Sequence, residues 1–151
     1  MVSKEEWGNA VWDVFHTLTE KLISNEPNII QKTFFIHKEI CSILPCPECR
    51  EHSTKLLGTI NINTVNTIEK LKNIMFDLHN RVNKKTGKKI YKMDVLDQYK
   101  IKDLNLVLSV FFKTLRKKTS IRNDMMIFRT KNDILKEFTN FLLKNRNSFI
   151  F

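Results

Sequence analysis

Residues 27–58 read PNIIQKTFFIHKEICSILPCPECREHSTKLLG, and their punctuation decides the fold. Pro27 suits the first turn of a helix, where a missing N–H costs nothing. Apolar positions then recur at Ile29/Ile30, Thr33/Phe34, Ile36/His37, Ile40/Cys41 and Leu44, the three-to-four spacing of a helix and not the alternation of a strand. Pro45 stops that helix. Pro47 opens another that runs to Leu57, with Gly58 as its C-cap candidate.

The same spacing extends in both directions. A first helix is predicted over 4–23, burying Trp7, Val11, Phe15, Leu18 and Leu22. Residues 59–63 read as a loop, and a fourth helix follows over 64–84 on the stripe Ile68, Leu71, Met75, Leu78 and Val82. A lysine-rich turn leads to tail helices over about 94–117 and 132–146, the last opened by Asn132 as a cap. With three glycines and three prolines, the chain has little punctuation for β-turns. The expectation is an all-α protein, a four-helix bundle over 1–93 followed by a basic helical C-terminal extension over 94–151.

A length of 151 residues, 42% of them hydrophobic, can bury a core without disulfide scaffolding. The net charge of +10 is unevenly spread: 1–83 hold 9 basic and 10 acidic residues, 84–151 hold 17 and 6. The charge therefore describes only the second half. No apolar run approaches the ~20 residues needed to cross a bilayer. The first residues also lack the basic start and apolar core of a signal peptide. Three cysteines cannot build a multi-bridge secreted scaffold, so a soluble protein of the cytosol is expected.

Cys46-Pro47-Glu48-Cys49 is a CxxC at a predicted helix start, where the helix N-terminus stabilises thiolate below the free-thiol pKa of ~8.5. With His52 it also spells CxxCxxH, half of a zinc site. No second CxxC or HxxxH supplies the remaining ligands, so no metal is expected. A thioredoxin-like fold would need strands around the motif, and its flanks are helical. Cys41, on the apolar stripe of the preceding helix, reads as a buried unpaired thiol.

Three further clusters surround the CxxC. Gly8-x3-Trp12-x3-His16 lies along one face of the first helix. His79-Asn80-Arg81-Val82-Asn83 ends the fourth, and Gly87-Lys88 and Tyr91 follow. Singly each has an ordinary explanation: core packing for Trp12 and His16, capping for His79-Asn80, a solvated charge for Lys88. As an ordered set over 7–93 they resemble the Erv/ALR family of FAD-linked sulfhydryl oxidases. That family's pattern is GxxxWxxxH, PCxxC, then HNxVNxxxGK with an aromatic three residues on.

The resemblance implies a four-helix bundle enclosing non-covalent FAD, its isoalloxazine against the CxxC. Gly8 would permit close approach and Trp12 would stack. His16, His79, Asn80 and Asn83 would supply hydrogen bonds and adenine contacts, with Val82 and Tyr91 completing the motif and Lys88 neutralising phosphate. It also implies that Cys46 meets substrate while Cys49 faces the flavin. Electrons from protein dithiols, or from a thioredoxin-like shuttle partner, would pass to O2 and give H2O2. A homodimer through the first helices is a further implication. Small family members of large cytoplasmic DNA viruses place such a protein in the host cytosol, the virus factory and the virion.

Three departures accompany the resemblance. Phe76 and Met93 stand where many members carry a structural disulfide, forfeiting ~2–4 kcal/mol unless apolar packing replaces it. No second CxxC exists to shuttle electrons, and Asn9 replaces a basic residue often found after the first glycine. The rival reading is a basic protein that binds nucleic acid or another acidic surface, or a structural virion protein, with an incidental or zinc-binding CxxC.

Overall fold

The structure is a computed structural model describing residues 2–117 and 125–151, with side chains from residue 130 onward in the second stretch. Among the described residues six α-helices follow one another: α1 Lys4–Lys21, α2 Pro27–Cys41, α3 Pro47–Gly58, α4 Ile68–Lys85, α5 Leu104–Arg116 and α6 Met125–Lys144. Short 3-10 turns occupy Ile62–Thr64, Met93–Tyr99 and Arg146–Ser148. The all-α expectation holds.

Side chains set most helix starts. Ser3 Oγ accepts the Glu6 N–H at 3.1 Å, Thr67 Oγ1 that of Lys70 at 3.1 Å, and an Asp103 carboxylate oxygen that of Leu106 at 3.1 Å. Each satisfies one of the donors a helix leaves unpaired at its first turn. Several expected boundaries move as a result. The fourth helix begins after the Thr67 cap rather than at 64, and the span 94–117 divides into the Met93–Tyr99 turn and an α5 capped by Asp103. The last helix starts at Met125, leaving Asn132 inside it as an exposed residue rather than a cap.

Gly58 is helical, and the positive φ of 73° belongs to Gly87. There the Lys88 N–H donates to the Asn83 carbonyl at 2.8 Å and the Gly87 N–H to that of Lys84 at 3.3 Å. This paired closure ends α4 in a left-handed residue and turns the chain back along the helix.

One apolar core runs through all six helices. Phe15, Phe34, Phe111 and Phe138, from α1, α2, α5 and α6, are each fully buried. α5 and α4 pack against α1, and α6 against α2. Val14 to Thr19 of α1 are buried without a break, so α1 is the central helix. The end of the chain is tied down as well: Ile150 N–H donates to the Lys21 carbonyl at 2.8 Å and Ile23 N–H to that of Ser148 at 2.9 Å.

The tail's positive charge partly faces the bundle. Lys102 pairs with Asp13 at 2.8 Å and Lys117 with Glu6 at 3.0 Å, joining the α5 region to α1. Lys32 of α2 pairs with Glu137 of α6 at 2.5 Å. Such half-exposed pairs add at most ~1 kcal/mol each, so the apolar core decides the packing. Phe76 lines the cavity described below, and Met93 remains exposed. The apolar packing expected to replace a staple there is thin.

Phe111 stands edge-on to Phe112 and Phe138, with ring centroids 5.3 and 5.9 Å away. Phe111→Ala should therefore cost ~3–5 kcal/mol and lower the melting temperature of the whole chain in a single transition. A circular-dichroism melt that leaves a separately melting bundle would contradict the continuous core.

Candidate active site

α3 begins at the CxxC. Cys46 is its N-cap residue and Pro47 its first helical residue, as the proline's fixed φ favours. Cys46 and Cys49 are joined by a disulfide, and Cys46 Sγ also accepts the Cys49 N–H at 3.2 Å. Both cysteines are half-buried.

A cavity of about 370 Å³ opens beside this disulfide, within the size range of small-molecule sites. Cys49 lies in its wall together with Gly8, Trp12, His16, His79, Asn80, Val82, Asn83, Lys88 and Tyr91. Every residue singled out from the three outer motifs is thus brought to one cavity. Cys46 is outside it, on the far side of the disulfide.

An aromatic and imidazole wall joins α1 to α4. The rings of Trp12 and His79 stack with centroids 3.9 Å apart and planes 7° from parallel. His16 Nε2 and His79 Nδ1 share a hydrogen bond at 2.8 Å, one ring donating its N–H to the bare nitrogen of the other. Burial pushes His16 down to about 3, helped by His79, and pushes His79 down to about 4, helped by Lys88. Both rings are neutral near pH 7.

Asn80 has a role its motif did not reveal. Its side-chain amide donates to the Tyr91 carbonyl at 2.8 Å and accepts the Tyr91 N–H at 3.0 Å. Together with the turn at Gly87, this latch lays Lys88 and Tyr91 along the cavity rim. Gly8 has open space where a side chain would begin, since a Cβ there would meet no protein atom within 4 Å. The space belongs to the cavity.

Other lining residues escaped the sequence reading. Tyr99 comes from the Met93–Tyr99 turn, with its ring 4.8 Å from His16, and burial and then Asp13 push its hydroxyl up to about 12. The signal was Leu96 and Tyr99 at helical spacing, both buried. Cys41 lies in the wall as a buried free thiol, pushed up to about 12 by burial. Ser53, beside it, donates to the Cys49 carbonyl at 2.7 Å. His37 packs against Phe15 at 4.6 Å, with neither ring nitrogen hydrogen-bonded among the described residues. Among those residues no three or more His, Cys, Asp or Glu side chains converge as a metal site, so the run ending at His52 does not assemble one.

The family model described as "Erv1 / Alr family" matches residues 9–103. The chain belongs to the Erv1/Alr family. The "FAD-linked sulfhydryl oxidase ERV1" of Arabidopsis thaliana is 31% identical over 100 residues, 64% of this chain and 50% of the plant protein. The "FAD-linked sulfhydryl oxidase" of African swine fever virus (isolate Pig/Kenya/KEN-50/1950) is 37% identical over 86 residues, 56% of this chain and 71% of the viral one. A relative in Invertebrate iridescent virus 3 is 30% identical over 86 residues, 54% of this chain and 57% of that protein. The chain thus spans half the length of the plant relative. No solved structure matches it. The Erv1/Alr match reaches past residue 93 and takes in Tyr99 and the Asp103 cap.

The buried imidazoles of this Erv1/Alr chain give it an acid limit. His16, His37 and His79 are held neutral in the fold, at about 3, 3 and 4, whereas unfolded histidine titrates near 6.5. Below about 6.5 the unfolded chain takes up protons that the folded chain refuses, so stability falls as pH drops towards about 4 and below. The melting temperature should decline across that window, and His37→Leu should flatten part of the slope. A melting temperature constant from pH 7 to 4 would contradict the assignment.

Proposed function

We propose that this chain is an FAD-dependent thiol oxidase that forms disulfides in dithiol substrates. The observation carrying this reading is the position of the disulfide, with Cys49 in the cavity wall and Cys46 outside it. The redox chemistry is assigned to 1–93, with Tyr99 of the 94–151 extension completing the wall. The lining chemistry fits FAD: an open backbone at Gly8, a flat ring surface from Trp12 and His79, and a cationic rim at Lys88. Because Trp12 and His79 are already in face-to-face contact, a planar group can cover the wall but not slip between them. His16, Asn83 and Tyr99 would hold polar edges, and Asn80 would act by fixing the rim that carries Lys88 and Tyr91.

The chain's own share of the reaction is thiol–disulfide exchange. A substrate thiolate attacks Cys46 Sγ, the Cys46–Cys49 bond breaks, and Cys49 leaves as thiolate. A second substrate thiolate then attacks the mixed disulfide and releases Cys46, so the pair holds two electrons. Cys49 presents them to the cavity, while burial keeps the Cys41 thiol protonated and out of the exchange. Bound against Cys49, FAD would supply two-electron transfer from the reduced pair to O2, for a net dithiol plus O2 giving disulfide plus H2O2.

The finer assignments follow from this reading. With no second CxxC among these residues, substrate thiols or a thioredoxin-like partner would reach Cys46 directly. The viral relatives favour work in the cytosol of an infected cell, at the virus factory and in the virion, where disulfide formation otherwise lacks a catalyst. A homodimer along the first helices would have to avoid Val14–Thr19, which α4, α5 and the Met93–Tyr99 turn leave no free side.

Purified protein should be yellow, bleach with dithiothreitol and recover colour in air. Cys49→Ser should abolish turnover and keep the flavin; turnover surviving that change would remove Cys49 from its role. Gly8→Ala separates cofactor from fold. It should leave the flavin-free protein as stable or up to ~1 kcal/mol more stable, because helix propensity improves and nothing clashes. Flavin retention after gel filtration should nonetheless drop, and unchanged retention would place the cofactor elsewhere.

A further inference from the structure

Arg50 lies at the first turn of α3, next to Cys49, and its side chain holds a carbonyl of the loop before it. Its backbone N–H donates to the Cys46 carbonyl at 2.9 Å, and its guanidinium donates from Nη1 to the Leu44 carbonyl at 2.6 Å. The backbone bond is the ordinary first bond of the helix, and the guanidinium ties α3 to the chain just ahead of Pro45. Arg50 is half-buried, and none of the ion pairs among the described residues includes it.

On α3, Glu48 and Glu51 are exposed, and His52 lies in the fields of Lys85 from α4 and Lys55. On α2, Glu39 answers to Glu137, Lys32 and Lys38. A guanidinium is always charged, and its planar fork fixes that charge more firmly than a lysine would.

We infer that Arg50 is a positioning residue of the CxxC: it fixes the Leu44–Cys46 loop and brings a cation to the end of α3 that carries the disulfide, favouring the Cys46 thiolate. The inference rests on the thiol-oxidase reading above. When a substrate dithiol reduces the pair, the Cys46–Cys49 bond breaks and two electrons enter it. The substrate's two sulfurs give up their protons and join. A nearby cation lets Cys46 remain a thiolate instead of taking up a proton, so the reduced pair is stabilised and the disulfide becomes a stronger oxidant. Helix α3 adds its positive N-terminus to the same end.

The test compares Arg50→Gln, which keeps a donor for Leu44 but loses the charge, with Arg50→Lys, which keeps the charge. Iodoacetamide modification of Cys46 is followed against pH in the Cys49→Ser background, with the site identified by mass spectrometry. The equilibrium of the intact pair with a glutathione redox buffer is measured in parallel. Arg50→Gln should slow Cys46 alkylation at about pH 6 roughly tenfold and move the glutathione equilibrium roughly tenfold towards the disulfide, with Arg50→Lys within about threefold of the parent. Parental behaviour in Arg50→Gln overturns the inference, as does an Arg50→Lys loss as large as that of Arg50→Gln. If Arg50→Gln fails to fold, salt decides: alkylation of the parent at about pH 6 must slow as salt rises, and a flat response overturns the proposal. Failure of the oxidase reading would look different, with thiol titration altered as expected and no turnover in any form.

Discussion

The requirement that α1 be enclosed on all sides governs the rest of the structure. A surface helix shows one apolar stripe, but Val14, Phe15, His16, Thr17, Leu18 and Thr19 are buried in succession. Such a helix needs neighbours around its whole circumference, and α4, α5 and the Met93–Tyr99 turn supply them. It also needs its polar groups answered. His79 answers His16 and the Phe15 carbonyl accepts the Thr19 hydroxyl at 2.8 Å, whereas Thr17 Oγ1 has no partner among the described residues. The cavity exists where this enclosure is incomplete, between the Trp12 face of α1 and the start of α3.

That gap gives the CxxC two environments at once. The helix start and the Arg50 grip hold the disulfide at the end of α3, so one sulfur borders the cavity and the other does not. A redox pair needs this asymmetry if electrons are to enter on one side and leave on the other. Cys41 is excluded by the opposite means: deep burial removes it from thiolate chemistry though it shares the wall.

How much of this could be read beforehand depended on whether a signal was local. Pro27 and Pro47 mark helix starts by their own geometry, and the stripes of α1 to α4 were legible from spacing alone, whereas α2 ends at Cys41, short of the stop expected at Pro45. The three motifs were legible because four-residue spacing keeps Gly8, Trp12 and His16 on one face wherever the helix goes. The tail was harder. Its segments are apolar at helical spacing throughout, so periodicity ran across a boundary that the local Asp103 cap sets. The long-range partners were not legible at all. The Asn80 amide holding Tyr91, and Tyr99 closing on His16, depend on contacts that no spacing encodes. Charge misled in a milder way, because Lys102 and Lys117 of the basic half answer Asp13 and Glu6 of the first helix.

The chain contains two tryptophans, and Trp7 and Trp12 both border the same cavity. Trp12 lies flat against an imidazole, while Trp7 is buried nearby in the same helix. The protein's entire indole emission therefore originates at the site. Intrinsic fluorescence, usually an average over a whole molecule, becomes here a local optical report on what occupies one pocket, without any label having to be introduced.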